Sequence, residues 1–113
     1  MNKSVPLLLL SFSSFAWGDH VAGVPSQIAQ IMTSQISETA GDVMLKLETP
    51  VSGCEDGYFI REGTRGLEEG LSVALSAYHA GIPVKIDGVS GVSWPGSSSS
   101  RYCQVYSLSL IKD

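Results

Sequence analysis

The chain has 113 residues, seven basic and eleven acidic, with a net charge of −4 and 43% hydrophobic content. That length supports one domain, near the lower end of what a single hydrophobic core holds together. The acidic balance, with no cluster of Lys and Arg, argues against nucleic acid as a partner and against electrostatic docking on anionic lipid.

Residues 1–18, MNKSVPLLLLSFSSFAWG, carry one positive charge at Lys3, an apolar run around Leu7 to Leu10, and small residues at Ala16 and Gly18. This is the pattern of a secretory signal cleaved before Asp19. A membrane span needs about 20 apolar residues, which this run does not reach, and no second hydrophobic segment follows. The expectation is a single domain over 19–113, secreted or periplasmic. With Lys3 gone, six basic residues face eleven acidic ones, a net charge of −5.

Asp19 to Ser26 is polar, holds Gly23 and Pro25, and is expected to be a loose arm. In 27–38 the residues Ile28, Ile31, Met32 and Ile36 fit a helical stripe, while the β-branched content fits a strand; the strand is favoured because Ala40-Gly41-Asp42 offers a turn into the next segment. Asp42 to Glu48 alternates, with Val43, Leu45 and Leu47 on one face and Met44, Lys46 and Glu48 on the other, and reads as a half-buried strand. A loop, TPVSGCED, brings Cys54, and GYFIR over 57–61 is the third strand.

The stretch from Thr64 to Gly88 organises the chain. Leu67, Leu71, Ala74, Leu75 and Tyr78 recur at helical period. Thr64 is the expected N-cap, and Glu68 and Glu69 suit the positive end of the helix dipole. Gly81 can take the left-handed conformation that ends a helix, and Pro83 forbids its continuation. Val84-Lys85-Ile86-Asp87 then alternates as a fourth strand. Val89 to Ser100 is rich in Gly and Ser and contains Trp94-Pro95-Gly96; irregular stretches of this length in compact domains are usually functional or disordered. Arg101 to Ile111 is the last strand, and a bulge within it would transfer its apolar side midway.

Two cysteines in an exported chain read as a disulfide, Cys54–Cys103. Free thiols or a metal pair are the alternatives, and no CxxC or Cys/His spacing supports a metal. The order strand, strand, strand, helix, strand, strand is that of an OB-like five-stranded antiparallel barrel in the α+β, mainly β class. A plain α+β sheet with one covering helix is the second reading.

A cysteine before a short strand (Cys54), a helix ending in a small residue (Leu71 to Ala80), Gly81, the strand Val84-Lys85-Ile86, Trp94 and a second cysteine, Cys103, together resemble the B subunits of subtilase-type cytotoxins and the small exported bacterial proteins similar to them. The resemblance implies an OB-like fold and ring-forming, glycan-binding subunits.

An enzyme requires a nucleophile with a base, a metal site, or paired carboxylates in a cleft. The two histidines offer none of these. His20 stands beside the cleavage site, and His79 lies in the last helical turn, where imidazole suits the dipole. Gly91-Val92-Ser93-Trp94-Pro95 falls short of a nucleophile elbow because Pro replaces its final Gly. The acidic residues Glu55, Asp56, Glu62, Glu68 and Glu69 lack the spacing that wraps Ca²⁺. Neither a catalytic residue nor a metal or other cofactor is expected.

Aromatic residues are the remaining lead. Trp94, with Arg101 and Tyr102 just past it, could stack on a sugar face while hydroxyls and the guanidinium bind its oxygens; the opposing expectation is that Trp94 folds back as a lid on a small core. The sequence thus points to an exported, non-enzymatic binding module, a monomer or a homo-oligomer, with a glycan or an envelope or secreted protein as partner. The alternative is a monomeric periplasmic structural or accessory protein.

Overall fold

The computed structural model describes residues 18–112; all but the last residue of the expected signal segment lies outside them. Among the described residues, six strands and one α-helix occur in the order β1 (His20–Val21), β2 (Ile28–Thr33), β3 (Val43–Leu47), β4 (Gly57–Ile60), α1 (Leu67–Ala80), β5 (Val84–Val89) and β6 (Tyr102–Leu110). They form one mixed sheet in the order β1-β5-β6-β4-β3-β2. No helix among the described residues is long and apolar enough to cross a membrane.

The expected five-stranded, all-antiparallel barrel is corrected on two points. First, β4 and β6 are parallel neighbours. The chain leaves β4 through α1, and β5 and β6 then pair antiparallel, so β6 returns in the direction of β4. Second, the segment 19–26 is not a loose arm. His20 and Val21 pair with Val89 and Gly88, and Ser26 exchanges two backbone hydrogen bonds with Val84, of 2.9 and 2.8 Å. Gly23 makes this possible: a Cβ there would lie 2.0 Å from the Ile86 carbonyl oxygen. The Gly23 N–H is free to donate to Asp87 Oδ1 at 2.8 Å. The ladder is not closed; β1 and β2 are its two end strands.

Of the ambiguous segment 27–38 only Ile28–Thr33 is a strand, pairing antiparallel with β3 as the turn residues predict, and a short 3-10 turn at Ser37–Thr39 follows it. At its far end α1 stops as expected. Gly81 adopts φ 69° and ψ 26°, and its N–H donates to the Ala77 carbonyl. The other end differs. Thr64 does not cap the helix; its carbonyl accepts from the Leu67 N–H in a preceding turn, and Gly66 flanks the first turn without a side-chain cap. The face turned to the sheet also differs from the expected stripe. Ala74 and Ala77 are the buried pair, with Leu67 and Leu71 packed beside them. Leu75 and Tyr78 remain 41% and 49% exposed, because two alanines let the helix sit close along one line and turn its bulkier flank outward.

The main core gathers Ile28, Val43, Leu45, Leu47, Tyr58, Val84 and Ile86 under those alanines. Cys54 and Cys103 are buried within it and form the expected disulfide, with Cα atoms 5.3 Å apart. Closing a loop of 49 residues contributes about 4 kcal/mol in the chain-entropy model. The Tyr58 hydroxyl is buried without a hydrogen-bond partner; burial and the Asp87 charge push its phenol up to about 12.

Candidate functional site

The loop after β5 carries the residues expected to bind ligand. Met44 and Phe59 alternate away from the main core and would leave an apolar patch on the other side of the sheet. The loop covers that patch with Trp94. The indole stacks on Phe59 with ring centroids 5.7 Å apart and meets Tyr102 at 5.0 Å. Its Nε1 donates to Asp42 Oδ2 at 2.8 Å. Asp42 is itself buried. Its other oxygen accepts the Glu62 N–H at 2.8 Å, and the Arg61 guanidinium stands beside it. Arg61 Nε lies 2.9 Å from Asp42 Oδ2, but its N–H is not aimed at that oxygen and forms no hydrogen bond. That pairing is Coulombic.

Trp94 is therefore a lid and not a platform. With 3% of its surface exposed, it has no open face for a sugar ring, which corrects the stacking role expected for it. Arg101 is solvent-exposed but engaged: its Nη2 donates to Asp56 Oδ1 at 3.0 Å. Ser99 donates its hydroxyl to the other Asp56 oxygen, and this bond, with the Arg101 charge, holds the Asp56 carboxyl below its ordinary range. Tyr102 is half-buried against the Trp94 cluster. Trp94 and Tyr102 pack together on one side of the sheet, and Arg101 ties the end of the loop to Asp56.

The open aromatic surface lies elsewhere. The register of β5 on β6 shifts between Asp87, opposite Ser107, and Gly88, opposite Val105. Tyr106 is the extra residue, and a bulged residue is aimed out of the regular alternation. The residue is 68% exposed, and its ring and the His20 imidazole meet edge to face with centroids 5.0 Å apart. Tyr106 lines a groove of about 350 Å³ between the start of α1 and β6. Ile60, Val73, Val105 and Leu108 give the groove an apolar floor, and Glu69, Thr64 and Ser107 supply polar groups at its walls. Apolar lining with few polar groups is the general character of a small-molecule site. The sequence signal for Tyr106 was the broken alternation of YCQVYSLSL, which called for a bulge without locating it.

A second groove, of about 400 Å³, runs between β2 and the other flank of α1 and is lined by Ile31, Thr33, Leu71, Leu75, Tyr78 and His79. His79 lies in the last turn of α1, as expected. No three His, Cys, Asp or Glu side chains converge among the described residues. No protein-family model, no curated protein and no solved structure matches the chain.

Proposed function

We propose that the chain is an exported, non-catalytic binding module with an OB-like barrel, and that it takes a glycan in the groove between α1 and β6. The observation carrying this reading is an apolar-floored groove bordered by the largely exposed Tyr106, with Glu69, Thr64 and Ser107 supplying polar groups along it. The C–H face of a pyranose buries against such a ring, while its hydroxyls need a carboxylate and hydroxyls as partners. The barrel assignment is supported by the order β2-β3-β4-β6-β5 with its one parallel pair, and by the Ser26–Val84 bridge, which ties the residue two before β2 to the start of β5. OB barrels commonly hold ligands on their second and third strands and the adjoining loops. Here Trp94 covers the corresponding patch on β3 and β4, which favours the helix-side groove. The buried disulfide supports an oxidising compartment.

A glycan array probed with the oxidised 19–113 protein tests the reading. Binding is expected for at least one sugar class, and Tyr106→Ala should weaken it about tenfold, as loss of a stacking contact does. Trp94→Phe, which keeps the lid apolar, should leave it unchanged. An empty array, or binding indifferent to Tyr106, would overturn the glycan site and leave the structural or accessory role.

A further inference from the structure

The two ends of the sheet are treated differently. The β5 end is covered by β1 and the chain up to Ser26, and it carries Lys85 and Asp87, paired at 2.9 Å. At the other end β2 pairs only with β3 among the described residues. The Ser34 N–H donates to the Asp42 carbonyl, and the register from Gln30 to Thr33 is regular. In an antiparallel ladder, alternate residues turn their backbone groups away from the partner strand, so Ile31 and Thr33 aim theirs at the open side. Natural edge strands are normally guarded by charge, by proline or by a covering element. Here 21–37 contains no charged residue, and the bulge between Ile28 and Gln30 leaves the strand regular beyond it.

We propose that two copies of the chain join through this edge, β2 against β2 in antiparallel fashion, about a two-fold axis normal to the sheet. Three observations favour a second copy over another occupant. The edge strand IAQIMT is neutral, so its open side suits a strand of the same chemistry. Each copy is net negative, and a charge-free seam is the approach that repulsion opposes least. The seam also lies under the exposed flank of α1: Leu75 and Tyr78 border the groove beside Ile31 and Thr33. A two-fold places both helices on the same face of the continuous sheet, where the Leu75 and Tyr78 side chains of one copy meet those of the other. The contact is self-complementary, as an isologous interface must be, and it leaves both Tyr106 grooves open.

Sedimentation of the oxidised 19–113 protein over a range of concentrations tests the proposal. A concentration-dependent monomer–dimer equilibrium is expected. Thr33→Lys changes an exposed side chain and puts one positive charge from each copy into an otherwise neutral seam; it should raise the dissociation constant about tenfold while the far-UV spectrum stays unchanged. Leu75→Glu, on the helix, should act in the same direction and serves if Thr33→Lys fails to fold. A monomer at every concentration, a ring of three or more copies, or a dimer indifferent to both substitutions would overturn it. None of these results bears on the Tyr106 groove.

Discussion

The two sides of the sheet are built on different principles. On the helix side, about a dozen apolar residues from five strands and α1 share the burial around a covalent link. On the other side a small cluster, Met44, Phe59 and Trp94, is closed by an indole from a loop of Gly and Ser. The indole is held by a carboxylate 52 residues away in the chain. Many interchangeable contacts define the first side. The second depends on one ring and one acid, so single substitutions should separate them.

The largest effect is expected at the indole. Trp94→Ala should cost about 3–5 kcal/mol, the range for emptying a buried aromatic site, and it also takes from the buried Asp42 Oδ2 its hydrogen-bond donor, leaving only the Glu62 N–H on Oδ1. Denaturant midpoints measure the loss. Hydrogen exchange should show it concentrated around Met44 and Phe59, with β5 still protected. Uniform loss of protection would mean that the two sides are one cooperative unit.

Cutting the covalent link tests the helix side. Cys103→Ser should lower stability by about 2–5 kcal/mol, and reduction of the native protein should lower it similarly. Trp94 fluorescence in the folded state should be unchanged, since its neighbours are not part of the bridge. If both thiols label in the unreduced protein, the bridge is absent.

The smallest effects come from pH. Asp56 and Asp87 are held below their ordinary range, Asp56 first by the Ser99 hydroxyl and Asp87 first by the Gly23 N–H, with Arg101 and Lys85 adding to each. A depressed carboxyl contributes stability above its unfolded value and loses it as pH falls through the folded one. Acid below about pH 4 should therefore release both. Asp56 fastens the end of the Trp94 loop, so a fluorescence shift should precede loss of the far-UV signal. Tyr58 works at the other extreme. Its phenol is pushed up to about 12, so its contribution is present below about pH 10 and disappears as pH rises through 12. An acid fluorescence change coincident with global unfolding would remove the separate role of the loop.

Much of the helix side was legible because it rests on local periodicity. Val43, Leu45 and Leu47 alternate and are buried, Gly81 ends α1, and two cysteines in a short chain pair. The stripe on α1 was misplaced by one flank because its apolar period admits either Ala77 or Leu75 and Tyr78 as the inner line. Only the distance to the sheet chooses, and it selects the small residues. The candidate site was less legible. Trp94 in a polar loop has the same local signature whether it is open or folded back, and Asp42 gives no sign in its own surroundings that it will accept from an indole. Tyr106 stayed ambiguous because a bulge is a property of two strands in register, not of either one alone.

From its order of residues alone the chain determined which segments extend, where its helix stops and how it is cross-linked, since backbone preference, side-chain period and thiol pairing act over a few residues or on a single pair. The fold as a whole decided that β6 lies parallel to β4, that Gly23 lets the arm become a strand, that Trp94 closes a patch and that Tyr106 stands open. Each of these depends on which surfaces are brought within contact distance, and dispersion, hydrogen bonding and desolvation act only once that distance is set.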